Sequence, residues 1–100
     1  MYWFSVDSGA TCVCTGFNVN ATNRGRAIII LYSAQGGATD NTGAGLYLVR
    51  CGYNGNNYVV TTIAESYKYE SYKPTISANS DGDLTISSSV SGMALLLANK

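Results

Sequence analysis

The chain has 100 residues, and its six basic and six acidic side chains cancel in a charged fraction of 12%, about half the roughly 25% of an ordinary soluble domain. It carries eight tyrosines, three cysteines and no histidine, and Asn, Ser and Thr fill 29 positions. These figures set one domain with one core against several alternatives: a nucleic-acid partner, for which there is no basic run; a histidine-dependent nucleophile; and a complete tetrahedral metal set. The charges read as scattered and solvated, with Arg24 and Arg26 the closest basic pair.

Along the chain the dominant hydrophobic period is two, the signature of half-buried strands, and no amphipathic helix is visible. Tyr2 to Val6 is the first predicted strand, and so early an aromatic strand suggests a domain cut from a longer chain. Thr11 to Val19 follows, with Val13, Thr15, Phe17 and Val19 expected on one face and Cys12, Cys14, Gly16 and Asn18 on the other. Cys12 and Cys14 are poorly placed to bridge each other, so any disulfide would join one of them to Cys51. Reduced, buried thiols and assembly in a reducing cytoplasm are the expectation.

Arg26 to Ala34, Gly45 to Cys51, Tyr58 to Glu65, Thr75 to Asn79, Leu84 to Ser88 and Met93 to Ala98 complete eight short predicted strands. Between them lie turn residues, of which Asp81-Gly82 is the clearest hairpin signal. Links this short make the strands antiparallel, because a parallel pair needs a crossover of a dozen residues or more. The expected fold class is therefore all-β, an antiparallel β-sandwich or jelly roll of about eight strands. Two strands, Ala27-Ile28-Ile29-Ile30-Leu31 and Ala94-Leu95-Leu96-Leu97-Ala98, are apolar on both faces. A sandwich strand normally shows one face to water, so the second face needs a cover: another subunit, or a loop of the same chain. With Trp3, Phe4 and Phe17 these residues form the expected core and contact surface.

Three segments carry the candidate function. Gln35 to Ala44 is a long loop with Asp40 as its one charge and no lysine to hold a phosphate. Tyr53, Asn54, Asn56, Asn57 and Tyr58 set two phenols around a hairpin tip of amides, where a ring would stack on a pyranose face while the amides hold its hydroxyls. The same residues also suit an ordinary Asn-Gly turn flanked by cross-strand tyrosines. Tyr67, Tyr69 and Tyr72 form a second aromatic segment, with Tyr67 and Tyr69 on one side if the chain is extended, and Lys68 and Lys73 near enough to meet an acidic sugar. Asp7, Asp40, Glu65, Glu70, Asp81 and Asp83 are the whole carboxylate pool for a glycoside-type reaction. None sits where a raised pKa is expected, so the reading is a non-enzymatic binder without cofactor or metal. No apolar stretch approaches the roughly 20 residues of a membrane-spanning helix, and membrane insertion is not expected.

The run Gly45-Leu46-Tyr47-Leu48-Val49-Arg50-Cys51-Gly52-Tyr53-Asn54-Gly55-Asn56-Asn57-Tyr58, the strand Ala27 to Ser33 and the final apolar strand together resemble the distal C-terminal domains of tailed-bacteriophage tail fibres and tailspikes. The resemblance covers most of the chain as a pattern. It implies a trimeric, tumour-necrosis-factor-like β-sandwich in the virion, made in the host cytoplasm, that caps the fibre and binds a host cell-surface polysaccharide or lipopolysaccharide or fixes the homotrimer. The chain departs from that pattern in lacking a His-x-His metal-binding repeat and the acidic cleft of a depolymerase body. A purely structural trimerisation domain and a monomeric carbohydrate-binding module of a glycoside-processing enzyme are the alternatives.

Overall fold

The computed structural model describes residues 1–20, 25–35, 42–52 and 57–99. Eight strands are present: β1 (Tyr2–Val6), β2 (Thr11–Asn18), β3 (Ala27–Gln35), β4 (Thr42–Cys51), β5 (Tyr58–Tyr67), β6 (Thr75–Ala78), β7 (Asp83–Ser87) and β8 (Gly92–Ala98), with one 3-10 turn at Glu70–Tyr72. Each predicted strand is found, its ends within three residues of the expected ones. All pairings are antiparallel, in a five-stranded sheet ordered β1-β8-β3-β4-β5 and a three-stranded sheet ordered β2-β7-β6. The β-sandwich expected from the alternation is thus the fold. β3, β4 and β5 run as a meander within the larger sheet, while β2, β6 and β7 lie in the other layer.

The core lies between the layers. Val6, Ile28, Ile30, Tyr32, Tyr47, Val49 and Leu96 of the larger sheet meet Cys14, Phe17, Val19, Leu84 and Ile86 of the smaller side. In β3 the alternation is complete, Ile28, Ile30, Tyr32 and Ala34 pointing in and Ile29, Leu31, Ser33 and Gln35 pointing out. The β6–β7 hairpin closes as its Asp-Gly pair predicts: Asn79 accepts the Asp81 and Asp83 amides on its side-chain oxygen, and the Gly82 amide donates to the Asn79 carbonyl.

β2 departs from the expected alternation. Cys12 and Cys14 face inward in its first half, Phe17 and Val19 in its continuation, and Val13 is exposed. The cause is an irregularity between Val13 and Asn18, where the register against β7 shifts, together with Gly16 at φ 91. That backbone conformation is open to glycine and strained for other residues. β2 takes five residues from Val13 to Asn18 where β7 takes two from Thr85 to Asp83, and this odd excess of three turns the strand over, so that both the cysteines and the Phe17/Val19 pair reach the core. The three cysteines are free, Cys14 and Cys51 buried and Cys12 half-buried.

The outer face of the five-stranded sheet is apolar and open. Cross-strand register lines up Trp3, Leu95, Leu31, Leu46 and Ala64 in one row across all five strands, and Leu97, Ile29, Leu48 and Thr61 in the next. Trp3, Ile29, Leu31, Met93 and Leu97 are between 41% and 65% exposed. The expected second face of the doubly apolar strands is therefore not covered by a loop among the described residues. A third row, Ser5, Met93, Ser33, Ala44 and Ser66, turns the face polar towards one end.

Candidate functional site

The tyrosines were expected to offer aromatic surface, and the structure sorts them by depth. Tyr32 and Tyr47 are core residues. Tyr58 opens β5 opposite buried Cys51, points between the sheets and shares a hydrogen bond of 3.2 Å with the Ser77 hydroxyl. Asn57 beside it is exposed, and its carbonyl accepts the Gly52 amide to close the β4–β5 link. Tyr53, Asn54 and Asn56 lie outside the described residues, as does Asp40.

Tyr67 ends β5 and also points inward. It does not share a side with Tyr69, because the chain leaves the strand after Tyr67 and coils into the Glu70–Tyr72 turn instead of staying extended. Its hydroxyl lies 2.6 Å from that of Tyr47, which donates to Glu65 Oε1 at 3.0 Å. Since each phenol has one proton, Tyr67 donates to Tyr47 and Tyr47 to the carboxylate. Lys73 Nζ then holds Glu65 Oε2 at 2.8 Å and Glu70 Oε1 at 3.1 Å. Gly45 makes room for this cluster: a methyl group there would overlap both phenol hydroxyls.

The electrostatics fix the protons where the geometry puts them. Burial above all, then the bonds to Tyr67 and Glu65, raises the Tyr47 phenol, and burial likewise raises Tyr67. The Lys73 ammonium, assisted by Tyr47, lowers the Glu65 carboxyl. This is a structural staple between β5 and the crossover to the second sheet, its phenols raised and its Glu65 carboxyl lowered, the reverse of what a nucleophile and a general acid need.

The surface part of this segment is Tyr69, 50% exposed, with half-buried Tyr72 edge-on to it at 5.3 Å between ring centroids. An open cleft of about 460 Å³, lined by Thr11, Ser71, Lys73, Thr75 and Ser87 among others and by neither tyrosine, adjoins the same segment. Hydroxyl residues and a lysine, with an aromatic pair adjacent in the chain, are side-chain types that suit a neutral or acidic sugar. Tyr58 and Tyr67 sit at opposite ends of a ten-residue strand, about 30 Å apart at 3.3 Å per residue. The two tyrosine segments are therefore two separate places and do not make one site.

Arg26 was expected to be a solvated charge and is not. It is 8% exposed, its guanidinium lying 5.3 Å from the Phe17 ring centroid. Nη1 donates to the Asn18 carbonyl at 3.2 Å and Nη2 to the Gly16 carbonyl at 3.1 Å, both acceptors belonging to the irregular stretch of β2. The signal available in the sequence was Gly16 inside a strand pattern, which points to a bulge and so to carbonyls free to take a donor.

A scan of the chain against protein-family models finds no match, and a search of curated proteins finds none. Among solved structures, the tailspike protein of Acinetobacter phage vB_ApiP_P1 matches with a TM-score of 0.51 and 13% identity, over 96% of this chain and 19% of that one. The chain spans about a fifth of the length of that tailspike. At this identity the likeness is one of fold, and at that level it agrees with the resemblance drawn from the sequence.

Proposed function

We propose that the chain is a non-catalytic, tail-associated domain of a phage tailspike or tail fibre, acting in the virion as a homotrimer that attaches to host cell-surface polysaccharide or lipopolysaccharide. Its copies would pack through the outer face of the five-stranded sheet and keep the ends of the sandwich for the glycan. The observation that carries this reading is the uncovered face: two apolar rows, with Trp3, Leu31 and Leu97 left about half in water. A contiguous apolar face of this kind is what marks an interaction surface on a small domain. The shared fold with a tailspike segment supports the tail assignment. Tyr69, Tyr72 and the hydroxyl-lined cleft beside Lys73 support glycan contact at one end.

Light scattering at micromolar concentration tests the assembly, and saturable binding of host polysaccharide tests the contact. A mass near three chains is expected, with binding that falls at least tenfold in the Tyr69→Ala, Tyr72→Ala double variant. A single-chain mass overturns the assembly. A three-chain mass without saturable binding overturns the glycan contact and leaves a purely structural trimerisation domain.

A further inference from the structure

The buried guanidinium of Arg26 lines a cavity that the tyrosine segments do not use, and we infer that this cavity is a site for a carboxylated sugar ring. The cavity has a volume of about 320 Å³ and is walled by Arg26, Phe17, Gly16, Thr15, Tyr2 and Ala98, where β1 and β8 meet the irregular part of β2. That is the small end of the range of roughly 300–1,000 Å³ for ligand pockets.

Three observations converge on the ligand. The first is charge. Among the described residues no carboxylate lies within ion-pair distance of Arg26, and its Nε is buried without a hydrogen-bond partner. The titratable group that feels its charge is the Cys51 thiol, which burial pushes up and so keeps neutral. Two carbonyls and one aromatic face satisfy only part of a fork that carries five donors. A buried cation in this condition gains from an anion that is planar and can take two hydrogens at once. The second is shape. Tyr2 stands edge-on to Phe17 at 5.5 Å and 77° and is 64% exposed, which leaves a phenol face free to lie against a pyranose. The third is the Thr15 side chain in the same wall, a donor and acceptor for a ring hydroxyl. A guanidinium for the carboxylate, an aromatic face for the ring and a hydroxyl for its polar edge describe a uronic or related acidic sugar better than a neutral one. This site lies at the other end of the sandwich from the Lys73 cleft, and it stands whether or not the copies assemble.

The test is ¹H–¹⁵N NMR on the intact chain, titrated separately with sodium glucuronate, glucose and sodium acetate. The Arg26 Nε–H and the backbone amides of Thr15, Gly16 and Phe17 are expected to shift saturably with glucuronate, at an affinity at least tenfold above those of glucose and acetate. Tyr2→Ala, a change at an exposed ring, is expected to weaken glucuronate by about tenfold while acetate is unaffected. Arg26→Lys is expected to abolish the response if the fold holds, and Tyr2→Ala keeps the test decisive if it does not. The inference is overturned if glucuronate leaves these resonances in place, if acetate matches it, which would mean a bare anion site, or if Tyr2→Ala changes nothing.

Discussion

Replacing Leu31 by aspartate is the sharpest probe of the proposed assembly surface. Leu31 sits at the middle of the first apolar row, between Leu95 and Leu46, with 49% of its surface in water. Covering that half with a neighbouring copy stabilises by about 1 kcal/mol, half of the lower to middle part of the 1.5–3 kcal/mol for a whole leucine. Aspartate removes that gain and adds the desolvation of an unpaired carboxylate, several kcal/mol for one ion. A combined loss of about 4 kcal/mol corresponds to about a thousandfold in an association constant. Within one chain the same change exchanges a half-exposed strand position for a poorer strand former, on a scale that spans about 1 kcal/mol, so the sandwich persists. Val13→Asp is the control, an exposed apolar residue on the three-stranded sheet. Light scattering at micromolar concentration should give three-chain mass for the parent and Val13→Asp and single-chain mass for Leu31→Asp. Leu31→Asp at three-chain mass, or equal dissociation of both variants, would refute the assignment of this face.

Gly16→Ala should lower stability by about 1–2 kcal/mol, from the positive φ alone because no atom crowds the position; urea denaturation reads it, and an unchanged midpoint would contradict the bulge. Tyr47→Phe should cost about 1–3 kcal/mol, since Tyr67 and Glu65 each lose a buried partner, and thermal melts compare it with Tyr69→Ala, expected to be near neutral. Glu65 has a carboxyl lowered on folding, so its contribution is present above the unfolded pKa, near 4.5, and is lost as pH falls through the folded value. Glu65→Gln should accordingly flatten the acid side of the melting-temperature profile and leave the slope near neutral pH alone. Cys14, whose thiol burial pushes up to about 12 with help from Cys12, should resist iodoacetamide at neutral pH until the chain is unfolded, as peptide mass spectrometry would show.

The strand pattern was legible because a sandwich imposes a period of two on a segment with one wet and one dry face, and because Ile, Val, Leu, Tyr and Thr between turn residues marked the strands that are apolar on both faces. The same logic reached the outer face: Ile29, Leu31, Leu95 and Leu97 are apolar where alternation calls for polar residues. Face assignment failed in β2 because valine and cysteine are both apolar and the pattern is equally good either way round. Gly16 was the only mark of the turnover. The tyrosines were over-read as surface because a phenol serves a buried hydrogen bond as well as a sugar. Their depth is set by pairings such as Tyr67 opposite Gly43 and Glu65 opposite Gly45, which no local window contains. The burial of Arg26 was hidden for the same reason, its two carbonyl partners lying eight and ten residues back across the sandwich.

β5 carries an extra residue, Ile63, between Ala64 opposite Leu46 and Thr62 opposite Tyr47, and this bulge bears on how strands of other copies could add to its edge. β5 runs ten residues along one margin of the larger sheet, with its outer backbone groups unpaired among the described residues, and a straight margin of that length is a template on which chains add without limit. The register break opposite Leu46 and Tyr47 puts the two halves of the strand out of step. A second margin laid against it must take up the same one-residue shift that β4 takes up on the inner side. Growth by ladder extension is thereby discouraged, and in the proposed assembly contact between copies would fall on the flat of the sheet, where side chains meet.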